Sequence, residues 1–249
     1  MAKKHNSLYA GRRIQWTDGT NTYVVRKGKT TNKKIADPNE YVVQTYTFSN
    51  EQIEYIRTCD LEGVKLSQKE FFALDKANCM DCPLSGNSGN GKCYTHKYMQ
   101  FSGFVSMIRS IIKSGDIGGL DAVKRAIVVA MCKDTYVRFG TYGEPSLLDL
   151  GLICDMTSDA KSWTGYTHQA GKPWAQSYSA YFMASAHSDK QAVSLTGWRS
   201  FIAIDKTESS DAVVCPASKE SNYVSMCSKC GLCAGILGKG RKNVQIQLH

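Results

Sequence analysis

The chain has 249 residues, 42% of them hydrophobic, with 31 Lys and Arg against 22 Asp and Glu for a formal net charge of +9. That apolar share supports a packed core and excludes a globally disordered polymer. No apolar run approaches the ~18–20 residues that span a bilayer, which excludes a helical membrane protein. Met1–Ser7 is basic and polar with no apolar stretch behind it, so it does not read as a secretory leader. A cytoplasmic setting follows as the expectation, in which cysteines stay as thiols or metal thiolates rather than disulfides.

Basic residues crowd the front. Lys3, Lys4, Arg12, Arg13, Arg26, Lys27, Lys29, Lys33 and Lys34 are opposed only by Asp18. Such a face favours phosphate-bearing partners, DNA or RNA among them, and is equally compatible with a solvated basic surface. Thr22–Arg26 and Tyr41–Phe48, rich in Val, Thr and Tyr, predict strands, with a polar loop between them. Ser49 or Asn50 followed by Gln52 predicts a capped helix running to about Thr58. Phe71–Asp75 reads as a short strand. Phe101, Phe104, Val105, Ile108, Ile111 and Ile112 fall on one face of a helix over Tyr98–Lys113, and Leu120–Lys133 repeats the pattern.

Beyond this point strands and helices alternate. Tyr136–Gly140, Trp163–His168, Tyr181–Ala186 and Arg199–Asp205 predict strands. Pro145 to about Lys161, Pro173–Ser179 and Asp189–Leu195 predict helices. Alternation implies parallel strands joined by right-handed crossovers, so the fold class is α/β, a partial or complete parallel β/α barrel. A basic, β-rich extension over residues 1–65 would pack on a core of residues 66–210, followed by a cysteine-rich metal-binding segment and a final strand over 211–249. Ligands of such folds sit beyond the C-terminal ends of the strands, where Gly143, Glu144, His168, His187 and Asp205 are placed.

Seven of the ten cysteines form two groups. Cys79 and Cys82 make a C-x2-C step, and Cys93 follows after a Gly- and Asn-rich loop, with Tyr94 and His96 close behind. With His96 as fourth donor this is a zinc pattern; without it, three thiolates would hold three irons of a [4Fe–4S] cluster and leave the fourth open. Cys215, Cys227, Cys230 and Cys233 supply four donors with two nested C-x2-C steps, enough to close a site for zinc or for an iron–sulfur cluster. Cys59, Cys132 and Cys154 lack such spacing and read as core residues. Gly86–Lys92 has the G-x4-G-K spacing of a phosphate loop, but Cys93 stands where a magnesium-binding Ser or Thr belongs.

Val137–Leu148 is a strand, then Gly143-Glu144-Pro145, then a helix, and it follows a three-cysteine loop and a helix. This resembles the Gly-Gly-Glu-Pro segment of radical S-adenosylmethionine (SAM) enzymes, although that family spaces its cysteines C-x3-C-x2-C and the spacing here is C-x2-C-x10-C. The resemblance implies an iron–sulfur cluster at Cys79, Cys82 and Cys93 and an auxiliary cluster at the later four cysteines. It implies SAM bound near Gly143, Glu144, Pro145 and Tyr94, with the amine meeting Glu144, and His168, His187 and Tyr166 lining the pocket. Over roughly residues 70–240 the sequence is also similar to phage-encoded proteins of unknown function that share Cys93-Tyr94, Trp163–His168 and the C-terminal cysteine run; this implies the cytoplasm of an infected bacterial host. The leading expectation is thus a cluster-dependent enzyme acting on nucleic acid or a nucleotide. The alternative is a nucleic-acid-binding protein with structural zinc, in which Tyr94, His96, Lys97, Tyr98 and Trp198-Arg199 would stack bases and pair phosphates.

Overall fold

The computed structural model describes residues 7–88, 93–204 and 211–247, with Tyr94 and Tyr98 described by their backbone alone. Alternating Val, Thr and Tyr build β1 (Arg13–Thr17), β2 (Asn21–Lys29) and β3 (Tyr41–Ser49), paired antiparallel in succession. β4 (Tyr136–Tyr142) then pairs parallel to β3, and β5 (Ser162–Thr164) parallel to β4, giving one five-stranded sheet in sequential order. The first 65 residues therefore supply three of its strands.

A second five-stranded sheet holds β6 (Tyr166–Thr167), β7 (Met183–Ala186), β8 (Ser200–Ile204), β9 (Val213–Val214) and β10 (Val244–Gln247). Its order is β6-β7-β8-β10-β9 and every pairing is parallel. Gly165 alone separates β5 from β6. A Cβ there would fall 2.3 Å from the Phe182 ring, so only glycine lets the strand pass so close. The parallel run thus continues from one sheet into the next. The fold is mixed α/β with parallel sheets, as expected, while closure into a barrel is not formed: β1 and β9 are outer strands, and no ladder joins them among the described residues.

Helices cover both faces of the first sheet. α1 (Asn50–Glu62) starts in a complete capping box between Ser49 and Gln52 and ends at Gly63 in the left-handed region, four residues beyond the expected stop. α2 (Gln68–Ala73), capped by Ser67, replaces the strand expected at Phe71–Asp75; two adjacent Phe residues fit a strand locally, but the Ser67 cap commits the backbone to a turn of helix. α3 (Lys76–Cys79), α4 (Tyr98–Lys113) and α5 (Ala122–Cys132) follow. The single helix expected from Pro145 is two pieces. Pro145–Leu147 is a 3-10 turn, Leu148 is extended, and Asp149 caps α6 (Leu150–Ser158) through the Leu152 amide. α7 (Asp189–Ser194) and α8 (Cys227–Cys230) complete the set. No helix among the described residues is long and apolar enough to cross a membrane.

Alternate residues of the strands divide two cores. Val25, Val43, Val137 and Phe139 pack with Val128 and Met131 of α5 and Leu152, Ile153 and Met156 of α6. Val24, Tyr46, Phe48 and Tyr142 pack with Ile53 and Ile56 of α1 and Phe101, Phe104 and Ile108 of α4. Phe104 is the hub of the second core, with ring centroids 4.6 Å from Tyr142 and 5.7 Å from Phe48. Beneath the first core, Lys27 is fully buried and donates to the Met131 carbonyl (3.0 Å) and the Thr135 hydroxyl (2.9 Å), placing its charge at the negative end of α5. Of the three unspaced cysteines, Cys59 and Cys132 are core residues as expected, but Cys154 is exposed, because α6 turns that position away from the sheet.

Truncating Phe104 to Ala removes the ring on which Tyr142 rests, at a cost of about 3–5 kcal/mol, whereas Phe104→Leu costs about 1 kcal/mol. Urea unfolding of the two variants measures the difference.

Candidate functional site

The backbone reaches the first cysteine group through a polar knot. Asp75, fully buried, accepts from the Gly86 and Asn87 amides at 2.9 Å each and so folds the loop after Cys82 back on itself. Asn78, also fully buried, donates from Nδ2 to the Thr47 carbonyl at the end of β3 (2.9 Å), and its own carbonyl accepts from the Glu144 amide (2.7 Å). Gly143 sits between them at φ +81°; a Cβ there would lie 2.8 Å from the Thr47 carbonyl oxygen and 3.1 Å from that of Asn78. The cysteine loop is thereby pinned to the C-terminal rim of β3 and β4.

Above the pin lies a cavity of about 90 Å³. Cys79, Cys82 and Cys93 line it together with Gly143, Glu144, Tyr166 and His168. The three sequence-predicted thiols thus converge on the predicted rim, as free cysteines. Burial, then Asp75, the other two thiols and Glu144, pushes Cys79 well up, and burial with Cys93 and Glu144 pushes Cys82 to about 12; Cys93 is also raised by burial, partly relieved by the Thr95 hydroxyl 3.1 Å away. Crowded thiols of this kind ionise together only beside a cation, which is the donor chemistry of a soft metal centre. Among the described residues, however, no three His, Cys, Asp or Glu donors gather around the point that a single ion requires. His96 is not at the cavity. It stacks on Phe72 at 3.9 Å and faces Asp75 at 3.8 Å, so it holds the loop's anchor and does not supply the fourth donor.

Glu144 is buried, and burial raises its pKa. Its Oε1 accepts from the Ser146 amide (3.1 Å) and hydroxyl (2.7 Å), and Oε2 from the His168 amide (3.2 Å). The carboxylate therefore caps the turn after β4 and ties that turn to the end of β6 while facing the cavity. Pro145 opens the same turn and is buried. His168 and His187, from the ends of β6 and β7, stack at 5.7 Å. Burial, then His187, lowers His168 to about 4, and burial also lowers His187. Both are neutral near pH 7, and among the described residues the buried His187 Nε2 meets no hydrogen-bond partner. Asp205, the side chain of Tyr94 and the last residues of the phosphate-loop spacing, Gly89–Lys92, lie outside the described residues.

The second cysteine group lies at the opposite end of the strands. The Cys227 and Ser228 amides donate to the Lys34 and Ile35 carbonyls before β3 (2.9 and 2.8 Å), and the Cys215 amide donates to Gln245 of β10 (2.9 Å). Cys227 hydrogen-bonds with Tyr136, the first residue of β4, and burial raises it to about 11. Cys233 is fully shielded, strongly raised by burial, and hydrogen-bonds with Tyr166. Tyr166 lies between the two groups: it hydrogen-bonds with Cys233 and lines the first cavity. Arg199 organises this segment, donating to the carbonyls of Leu232 (2.8 Å), Gly235 (2.8 Å) and Lys242 (2.7 Å). With Trp198 buried and bonded to Gln176 (3.1 Å), the pair is structural and does not form the base-stacking platform expected of it.

Sequence reasoning missed Asp75 and Asn78, and it assigned Arg199 to phosphates where the side chain holds backbone carbonyls. Buried polar residues that bond backbone carry no spacing signature, and only the proximity of Asp75 and Asn78 to the C-x2-C step pointed to them. Comparison with family models, curated proteins and solved structures returned no match.

Gly143→Ala forces a side chain into the left-handed region against two carbonyls and should destabilise the fold by at least about 1–2 kcal/mol, read as a lowered urea midpoint. A pH effect follows from His168. Its pKa is about 4 when folded and about 6.5 when unfolded. Above pH 6.5 neither state holds the proton and stability is unaffected. As pH falls through 6.5 toward 4 the unfolded state alone takes it up, so the loss between pH 7 and pH 5 is about 2 kcal/mol. His168→Gln should flatten that loss in urea titrations at the two pH values.

Proposed function

We propose that the protein is a cluster-dependent enzyme of radical-SAM-like build, acting on nucleic acid or a nucleotide, with Cys79, Cys82 and Cys93 holding a [4Fe–4S] cluster at the rim of β3 and β4. The observation that carries this reading is the convergence of those three thiols with Gly143, Glu144 and His168 on one cavity at the C-terminal ends of parallel strands. A single zinc draws its ligands to about 2.0–2.3 Å of one point, and among the described residues no three His, Cys, Asp or Glu donors gather in that way. When bound, such a cluster supplies an electron and an open iron position at which SAM is cleaved to a carbon radical.

The protein's own part is positional. Asn78 and Gly143 fix the distance between the cysteine loop and the Glu144 turn. Glu144 offers a buried carboxylate beside the thiols, suited to the amine of SAM. The neutral, stacked His168 and His187 offer hydrogen-bonding edges without charge, and Tyr166 forms one wall. At the far end of the strands Cys215, Cys227, Cys230 and Cys233 would hold the auxiliary cluster, and burial, which raises Cys215, Cys227 and Cys233, fits it on the same chemical ground.

Protein purified without oxygen and reconstituted with iron and sulfide should show a sulfur-to-iron charge-transfer band and acid-labile sulfide. Replacing any one of Cys79, Cys82 or Cys93 by Ala should remove about half of the iron, and Glu144→Gln should weaken SAM binding about tenfold with the iron content unchanged. Zinc alone, with no sulfide, would overturn the proposal in favour of structural zinc.

A further inference from the structure

One transverse row of side chains crosses the first sheet. Arg13 of β1 stands directly opposite Arg26 of β2, Arg26 opposite Gln44 of β3, and Gln44 opposite Arg138 of β4. Directly paired residues project from the same face, so three guanidiniums and a carboxamide share one line, about 14 Å long at about 4.8 Å per strand.

That line floors two adjoining cavities between the sheet and α4, of about 490 and 370 Å³. Arg13 lines the first, Gln44 and Arg138 the second, and Arg26 both. Among the described residues no carboxylate lines either one. Like charges directly opposite in an antiparallel ladder are destabilising. Arg13 and Arg26 bear that cost; Arg13 donates to a neutral group, the Ser110 hydroxyl (2.8 Å). Partial burial and the charge of Arg26 both lower the Arg13 pKa, marking an electropositive place that an anion would relieve. Gly103 on α4 lines both cavities with open space where a Cβ would stand. Thr141, on β4 with Arg138, lines the second cavity as well.

We propose that the row Arg13–Arg26–Gln44–Arg138 is a track for the sugar–phosphate backbone of single-stranded nucleic acid. The proposal rests on the nucleic-acid half of the function above and on none of its metal chemistry. Three cations spread over ~14 Å match successive phosphates of a strand and exceed the reach of one phosphate group. A groove walled by α4 admits a flexible single strand, whereas a duplex presents its phosphates on a rigid cylinder whose major groove alone is about 12 Å wide. Arg is suited to this role because its planar fork meets phosphate oxygens two at a time.

The test is fluorescence anisotropy of labelled oligo(dT) and oligo(U) on the full-length protein, with duplex DNA, inorganic phosphate and anionic vesicles as competitors. Expected is single-strand binding whose log affinity falls against log salt with a slope of about −2, from three phosphate contacts at about 0.7 each. Arg26→Gln should weaken it at least tenfold and reduce the slope by about 0.7, while Lys190→Gln on α7 changes nothing. Arg26→Gln should also hold or raise thermal stability, since it removes one of two facing like charges, which separates lost binding from lost folding. Oligonucleotide binding unaffected by Arg26→Gln, equal competition by duplex, or displacement by phosphate or vesicles at matched phosphate concentration would each overturn the track. Because no cysteine lies in the row, metal-free protein should bind equally well; binding without a cluster leaves the track standing when the cluster reading fails, and a cluster without binding does the reverse.

Discussion

Asn78 fastens three separate stretches of backbone at one point, and the geometry of the candidate site depends on it. Its side chain holds the end of β3 and its carbonyl holds the Glu144 amide after β4. Both bonds are buried, so neither is exchanged for water without leaving an unpaired polar group. Asp75 does the same for the far side of the cysteine loop. A long Gly- and Asn-rich loop has little reason of its own to hold a defined shape. Here Asp75, at the cap of α3, holds the Gly86 and Asn87 amides next to the aromatic core of Phe72, Phe104 and Tyr142.

The parallel strands also separate two chemistries by their own length. β4 begins at Tyr136 beside Cys227 and ends at Tyr142 beside the first cavity, six steps or roughly 20 Å later. The two cysteine groups thus occupy opposite ends of one sheet, and Tyr166, at the junction of the sheets, hydrogen-bonds with Cys233 of one and lines the cavity of the other. The placement assigns distinct mechanical duties: the rim group faces an open cavity, while the far group is interlocked with the residues before β3 through backbone bonds from Cys227 and Ser228.

Much of this was legible from the residues. The hydrophobic rhythm located α4 and α5, the β-branched runs located β2, β3 and β4, and C-x2-C spacing with Gly-Glu-Pro marked the rim that Cys79, Cys82, Cys93 and Glu144 share. What failed was local competition. Phe71–Asp75 has strand composition, but a Ser cap and burial against α1 settle it as helix; the Pro145 helix breaks because Asp149 offers a better start. His96 has ligand spacing yet is spent on Asp75 and Phe72. The Arg13–Arg26–Gln44–Arg138 row was beyond reach, because register between strands far apart in sequence is fixed by pairing and not by any spacing a sequence displays.

The position of β10 bears on how the molecule assembles. It lies between β8 and β9, although it follows both in sequence, so β9 has no neighbour until β10 arrives. Cys215 hangs on β10 through its amide, and Cys227, Cys230 and Cys233 lie in the connection that precedes it. The first cysteine of the second thiol group is consequently held by a strand that follows all four of them in sequence, so the seat of Cys215 depends on the placement of β10.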